Sequence, residues 1–225
     1  MWMEGSTSGV YRMWFQHMDM NRIPFYQYNT IIVGTGAAGL NAAVTLHKLG
    51  QKNIALITEG RYMGTSRNTG SDKQTYYKMT QCGSEPDSVR KMAKTLFEGG
   101  CVDGDIAMAE AAGSLRAFYH LVDIGVPFPF NKSGEYVGYK TDHDPLKRGI
   151  SAGPLTSKYM TECLERQAEE RGIPFFDGYQ AVRLLTEEKD GEKRAAGIIA
   201  LNKQKAASPD ERYAVFSAVN IMWAT

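Results

Sequence analysis

The sequence predicts an α/β fold with a central parallel sheet and a small antiparallel β-meander. Three observations lead to this prediction. A β-branched run at residues 30–33 is followed by glycines and then by apolar residues at helical spacing. A second apolar run at residues 52–59 completes a unit of strand, turn, helix and strand. Three strand-like runs follow residue 172 in succession, and Asp190 with Gly191 predicts a hairpin turn between the first two.

The elements between these runs follow in chain order. The first helix covers "LNAAVTLHKLG" and ends at Gly50. Residues 60–80 and 126–153 are rich in turn-forming residues and predict loops. Two amphipathic helices lie between these loops, each with two candidate cap residues: Asp87 or Ser88, and Asp103 or Asp105. A fourth helix begins after residue 153 and is expected to bury one apolar side: Leu155, Met160, Cys163, Leu164 and Ala168.

Composition argues against several classes of function. Lys and Arg total 26 against 25 for Asp and Glu, so the formal charge of +1 creates no broad field for nucleic acid. The three cysteines are scattered, which argues against a disulfide framework and a zinc site: Cys82, Cys101 and Cys163. No apolar run approaches the roughly 20 residues of a membrane span, and the N-terminus lacks a signal-peptide pattern. We therefore expect a cytoplasmic protein with no membrane span.

The first 27 residues show no clear periodicity. Residues 1–27 mix Met, aromatic and small polar side chains, which predicts a poorly ordered N-terminal extension. Met13, Met18 and Met20 are each possible start positions. The folded domain is expected to cover residues 28–225.

Three glycines directly follow the first strand. Gly34, Gly36 and Gly39 form a Gly-x-Gly-x-x-Gly pattern between a strand and a helix, which is typical of a Rossmann-like dinucleotide site. Glu59 stands 20 residues after Gly39, where a carboxylate can accept hydrogen bonds from ribose and disfavours a 2′-phosphate. The alternative is a tight turn without a ligand.

Later segments narrow the choice of dinucleotide. The chain combines "TIIVGTGAAGLNAA", an acidic end to the second strand, a Thr-Ser-rich loop, "LVDIGVPF", "GPLTSKYM" and "NIMWAT". Over residues 28–225 this resembles the N-terminal FAD-binding part of the succinate dehydrogenase and fumarate reductase flavoprotein family. L-aspartate oxidase and adenylylsulfate reductase are similar. Two alternatives stay open: an NAD-binding domain for catalysis or ligand sensing, and a non-catalytic fragment that binds no cofactor stably.

The resemblance implies contacts with each part of FAD. The pyrophosphate contacts are Gly34, Gly36, Ala37, Ala38 and Gly39. The adenosine ribose contacts are Glu59 and Gly60, and backbone groups at Ala181 face adenine. The diphosphate and flavin-edge contacts are Thr65, Ser66, Arg67, Asn68 and Gly70. The chain ends in Ala224 and Thr225, where the family has Ala-Thr-Gly-Gly. For the loop residues, ordinary solvated turn chemistry is the alternative.

Arg67 departs from one pattern of the family. Members with covalently attached flavin have a histidine directly after the serine of this loop, and this chain has Arg67 after Ser66. The resemblance therefore implies non-covalent FAD. Arginine in this place could pair with the cofactor diphosphate, or it could be an exposed loop residue that makes no contact.

Catalytic residues are not identified by the sequence. His143 lies between Asp142 and Asp144 and could carry a proton or bind a metal, but a polar surface loop is the better interpretation, so no metal is expected. The resemblance implies a dicarboxylate or similar substrate, bound by segments outside this chain, and a possible electron-transfer partner. We therefore expect an N-terminal fragment, truncated within its fold, that is inactive alone.

Overall fold

The computed structural model describes residues 23–71, 74–82, 85–142, 144–208 and 211–225. Most of the expected N-terminal extension lies outside the described residues, although residues 25–27 belong to the first strand. The chain divides into two compact units. The first unit combines the residues up to Met63 with Gly172–Thr225, and the second unit is Gly64–Arg171.

Strands and helices follow one another in chain order. The strands are β1 (Phe25–Val33), β2 (Ile54–Thr58), β3 (Tyr76–Tyr77), β4 (Gly149–Ile150), β5 (Phe175–Asp177), β6 (Tyr179–Lys189), β7 (Glu192–Asn202) and β8 (Tyr213–Trp223). The helices are α1 (Ala37–Lys48), α2 (Thr65–Asn68), α3 (Val89–Glu98), α4 (Gly104–Asp123) and α5 (Thr156–Glu170), with a 3₁₀ turn at Lys203–Lys205.

The first unit is built on one six-stranded sheet with the order β5-β2-β1-β8-β7-β6. β1 pairs in parallel with β2 on one side and with β8 on the other, and β5 pairs in parallel with β2. β8, β7 and β6 pair antiparallel. The predicted parallel strands and β-meander are therefore confirmed, and they form one continuous sheet.

Burial explains why these runs form the centre of the sheet. Every residue of β2 is buried, as expected for a strand covered on both faces. β8 instead alternates in its first half, where Ala214, Phe216 and Ala218 are buried. Helix α1 buries Leu40 and Val44, which removes its apolar side from water.

The run predicted as one strand after residue 172 is two strands. Gly178 separates β5 from β6 and has φ = 81°, a conformation that glycine adopts without strain. β5 then pairs with β2 and β6 pairs with β7. The hairpin between β6 and β7 is confirmed, because Asp190 and Gly191 have φ of 56° and 78°, as a type I′ turn requires.

The second unit contains the four other helices. Ser88 Oγ accepts a hydrogen bond from the Lys91 N–H, so Ser88 is the cap of α3. Asp103 Oδ1 accepts from the N–H groups of Asp105 and Ile106 and is the cap of α4. Residues 60–80 and 126–153 were predicted as loops, and they also contain three short elements, which are α2, β3 and β4. These elements are too short to show a period in the sequence.

Helix α5 differs in part from its predicted apolar side. Cys163, Leu164 and Ala168 are buried as predicted, but Leu155 precedes the helix and is 39% exposed. Glu165 is 8% exposed in the described structure, although a carboxylate was not expected on the buried side.

Arg148 forms a buried charge cluster in the second unit with Asp87, Asp144, Tyr77 and Thr95. Its guanidinium donates to both Asp87 oxygens at 2.9 and 2.7 Å and to Asp144 Oδ2 at 3.1 Å. It also donates to the hydroxyls of Tyr77 and Thr95. The three charged side chains are at most 3% exposed. Burial, and then the Asp144 hydrogen bond, raise the pKa of Tyr77 to about 12, so this hydroxyl stays a donor.

Candidate cofactor site

The glycine turn, residues 34–39, begins where β1 ends. Gly34 has φ = 109°, and its N–H donates to the Ile57 carbonyl at 2.8 Å. A Cβ at Gly34 would lie 2.3 Å from the Ala224 carbonyl oxygen. Glycine is therefore required here, because the chain after β8 lies directly against this backbone.

Helix α1 starts on top of the same turn. Gly36 is its N-cap, and the first intrahelical bond runs from the Leu40 N–H to the Gly36 carbonyl at 3.0 Å. A Cβ at Gly39 would lie 2.1 Å from the Gly34 carbonyl oxygen, so the first turn of the helix packs closely on the glycine turn. Ala37 and Ala38 form the start of this first turn, which contains no acidic residue. The positive end of the helix dipole suits an anionic group here.

The ends of the parallel strands meet at this edge of the sheet. β1 pairs with β2 and β8 in parallel, so the residues that follow all three strands lie along one line. The Ala224 N–H donates to the Val33 carbonyl at 2.8 Å, and Thr35 Oγ1 bonds Thr58 Oγ1 at 3.1 Å. The glycine turn, Glu59 with Gly60, and Ala224 with Thr225 are thereby brought to one edge.

Glu59 has a partner that the sequence did not reveal. Glu59 Oε1 accepts a hydrogen bond from Lys203 Nζ at 2.7 Å, and the side chains are 45% and 42% exposed. Lys203 lies in the 3₁₀ turn after β7, and its N–H donates to the Gly178 carbonyl at 2.8 Å. The two residues are 144 positions apart, so no local pattern signals the pair.

The turn after β2 is also fixed by β5. The Arg61 N–H donates to Asp177 Oδ1 at 2.8 Å, and the Arg61 guanidinium lies 4.1 Å from the centre of the Phe175 ring. A Cβ at Gly60 would lie 2.3 Å from Met63 Sδ. Arg61 was missed because Phe175 and Asp177 follow it by 114 and 116 positions, and its own neighbours look like an ordinary loop.

Ala181 lies near the start of β6, which follows directly after β5. It pairs with Ala200, and an irregularity in the register follows it before Arg183. Ala181 is partly buried and packs against the core cluster of the sheet. Its backbone is thus positioned by the strand pairing, as a backbone contact requires.

The remaining predicted site residues lie in the second unit. Thr65, Ser66, Arg67 and Asn68 form helix α2, and Gly70 follows it. Arg67 is 13% exposed and forms ion pairs with Glu165 and, at 3.5 Å, with Glu162. The interpretation of Arg67 as an exposed residue without contacts was wrong. The buried position of Glu165 on α5 now has its physical reason, because a buried carboxylate requires a cationic partner.

His143 lies outside the described residues. Asp144 is not part of a polar surface loop, because it is buried beside Arg148. Within the described ranges, no group of three His, Cys, Asp or Glu side chains is placed to hold a metal ion. The helices that the structure describes include none long and apolar enough to cross a membrane.

A family model described as "FAD binding domain" matches residues 29–221. The chain belongs to the FAD-binding domain family. The geometry fits this cofactor: glycines 34 and 39 leave no room for side chains, and the helix N-terminus beside them is free of acidic residues. The FAD-binding interpretation is confirmed over the NAD-binding alternative.

Similar proteins narrow the family. This FAD-binding chain is 29% identical to L-aspartate oxidase of Pseudomonas aeruginosa over 195 residues, which are 80% of the chain and 34% of that protein. It is 29% identical over 179 residues to the 8-methylmenaquinol:fumarate reductase flavoprotein subunit of Wolinella succinogenes, covering 78% of the chain and 29% of the subunit. Sdh1 of Mycobacterium smegmatis, solved in complex with UQ1, has the same fold with a TM-score of 0.76 at 17% identity, over 90% of this chain and 34% of that one.

The predicted resemblance to fumarate reductase-like flavoproteins is confirmed by these matches. The chain spans about a third of the length of the curated relatives it matches.

Proposed function

We propose that this chain holds FAD for a flavin-dependent oxidoreductase that acts on a dicarboxylate or a similar acid. The observation that carries the proposal is the glycine turn at the carboxyl edge of the parallel strands, with Glu59 at the end of the neighbouring strand. The backbone of this turn can bind the diphosphate, and Glu59 can accept the ribose hydroxyls. When bound, the isoalloxazine ring supplies hydride transfer.

The roles of the protein groups follow from their chemistry. The N-terminus of α1 and the backbone of residues 34–39 stabilise the negative charge of the diphosphate. Lys203 holds the Glu59 carboxylate in a fixed orientation through their ion pair. Ala181, Ala224 and Thr225 offer backbone groups to the adenine and to the flavin side. In the second unit, Thr65, Ser66, Asn68 and Gly70 contact the diphosphate and the flavin edge.

We propose that FAD is bound without a covalent bond. Arg67 stands where a histidine attachment site is expected, and its guanidinium faces two carboxylates of α5. A guanidinium does not form the histidyl linkage. Acid precipitation should leave all flavin in the supernatant, and flavin fluorescence that migrates with the polypeptide on a denaturing gel would contradict this.

The substrate class is taken from the named relatives. One is an L-aspartate oxidase and another a fumarate reductase that is named for a menaquinol, so a dicarboxylate and an electron-transfer partner are proposed for the whole protein. We propose that the 225-residue chain alone does not turn these substrates over, since none of its residues has been given a role in binding substrate or moving its proton. Fumarate reduction, succinate oxidation and L-aspartate oxidation should stay at the rate of free flavin. A substrate-dependent rate clearly above it would overturn this proposal.

The location we propose is the cytoplasm. The three cysteines of the protein are unpaired thiols, as is usual in a reducing compartment: Cys82, Cys101 and Cys163. Protein expressed with a fluorescent tag should fractionate with cytoplasmic markers, and recovery with the periplasmic fraction would contradict the proposal.

The proposal as a whole is tested by the cofactor that the purified chain retains. The protein should be yellow, and denaturation should release a flavin that co-elutes with FAD in about one equivalent per chain. Colourless protein that enhances NADH fluorescence and does not take up added FAD would overturn it.

A further inference from the structure

Segment 64–71 is held against helix α5 and the residues before it by contacts from its backbone and its side chains. The Ser71 N–H donates to the Pro154 carbonyl at 3.0 Å, and a Cβ at Gly70 would lie 3.3 Å from Leu155 Cδ2. Just beyond the segment, Gln74 Oε1 accepts from the Ser157 N–H at 2.8 Å. These contacts fix the C-terminal end of the segment against the start of α5.

The middle of the segment is attached to α5 by the charge of Arg67. Arg67 donates through Nη2 to Glu165 Oε2 and lies 3.5 Å from Glu162 Oε1. The side chains of Arg67 and Glu165 are only 13% and 10% exposed, whereas Glu162 is 42% exposed. Of the two carboxylates, Glu165 is therefore the one least screened by water, and removing it leaves a largely buried cation with a weaker partner.

Local structure alone does not hold this segment. Helix α2 has four residues, and its N-cap Gly64 contributes no side-chain hydrogen bond. A helix this short is not stable by itself in water, since its nucleation is unfavourable. The attachment of Arg67 to α5 therefore adds to the contacts of Ser71 and Gln74 in fixing the geometry of Thr65 and Asn68.

We propose that Glu165 is a positioning residue of the cofactor site, which acts through Arg67 to hold segment 64–71 in its binding conformation. This inference rests on the proposed function, in which the segment contacts the diphosphate and flavin edge. It also assigns Arg67 a role toward α5, as the anchor of the segment, and not as a ligand of the diphosphate.

A charge-reversal cycle separates these two roles for Arg67. The variants are R67E, E165R and the double variant R67E/E165R, each titrated with FAD in the full chain. Each single variant should weaken FAD binding by at least about tenfold, because it places two like charges together in a poorly solvated site. The double variant restores an ion pair and should return the dissociation constant to within about threefold of the wild type. If Arg67 binds the diphosphate itself, the double variant stays as weak as R67E, which would overturn the inference.

E165Q supplies a second readout that needs no bound cofactor. Glutamine keeps the size of the side chain but removes its charge, and Glu162 remains beside Arg67. Amide hydrogen exchange of segment 64–71 in the absence of FAD should accelerate by about tenfold, while exchange in α4 stays unchanged. Unchanged exchange in the segment would contradict the positioning role. The matched control is K94E/E98K on α3, whose exposed pair should be reversible without effect on either measurement.

The FAD titration also separates a failure of the proposed function from a failure of the positioning role of Glu165. A wild-type chain that binds no FAD overturns the proposed function and this inference together. A wild-type chain that binds FAD, combined with a double variant that is not rescued, overturns this inference alone.

Discussion

The glycine turn of the first unit and the charge cluster of the second unit satisfy their polar groups in opposite ways. At the turn, α1 begins at the carboxyl ends of the parallel strands with no acidic residue in its first turn, and the positive end of its dipole suits an anionic ligand. In the cluster, every guanidinium nitrogen of Arg148 already donates to a neighbour in the protein. The comparison teaches that the cofactor site relies on backbone geometry and a helix N-terminus, whereas the Arg148 guanidinium is used for structure.

The largest effect is expected from removal of the charge in the cluster. Arg148→Met leaves the carboxylates of Asp87 and Asp144 buried without their cation, which should cost about 3 to 5 kcal/mol of unfolding free energy. Urea unfolding followed by circular dichroism measures it. Lys94→Met is the matched control, because Lys94 pairs with Glu98 on an exposed surface and its loss should change stability by less than about 0.5 kcal/mol. Equal losses of stability in the two variants would contradict a structural role of the Arg148 charge.

The next effect concerns the turn itself. Gly39→Ala places a Cβ against the Gly34 carbonyl oxygen, so α1 must move away from the turn. We expect a loss of about 1 to 3 kcal/mol in stability and a larger loss in FAD affinity, because the backbone donors shift with the helix. Gly113→Ala in α4 is the control, since a Cβ there meets nothing within 4 Å and alanine favours the helix. An FAD affinity unchanged by Gly39→Ala would contradict the assignment of the turn.

Glu59 provides a smaller effect at the same edge. If its carboxylate accepts ribose hydroxyls, Glu59→Ala should weaken FAD binding by about 1.5 to 3 kcal/mol and leave the fold intact. The control is Glu211→Ala, because Glu211 also pairs with an exposed lysine of the turn after β7, Lys205 at 3.0 Å. Calorimetric titration with FAD measures the affinity of each variant. Equal affinities for FAD would show that Glu59 serves only its ion pair with Lys203.

The stability that the charge cluster contributes should depend on pH through Asp87. Burial alone raises the pKa of Asp87, but hydrogen bonds from Arg148 and from the N–H groups of Thr80 and Ser88 lower this pKa overall. Because the folded pKa is depressed, the stabilisation is present above the unfolded pKa of about 3.9 and is lost as the pH falls through the folded value. The urea concentration at the unfolding midpoint should therefore decrease as the pH is lowered below about 4. The decrease should be less steep in Arg148→Met than in the wild type. An equal slope in both proteins would contradict the role of Asp87.

The same comparison explains how much the sequence could predict. The glycine turn, α1 and the hairpin at Asp190 and Gly191 were predicted correctly, since each depends on neighbouring residues and on backbone conformations that few residue types adopt. The pair of Arg67 with Glu165 was not predicted, because 98 positions separate its members. Lys203 was missed for the same reason. Long-range ion pairs leave no local signal, whereas strands leave a periodic pattern and helix caps a characteristic residue type.

The central claim is that the first unit binds the adenosine diphosphate part of FAD through the glycine turn and Glu59. The most direct test is an equilibrium titration of the flavin-free chain with FAD and, in parallel, with FMN, which lacks the adenosine and its phosphate. The account predicts that FAD binds at least about a hundredfold more tightly than FMN, a difference of about 2.7 kcal/mol. Equal affinities for FAD and FMN would contradict it, because binding would then not depend on the groups that the turn and Glu59 are assigned to hold.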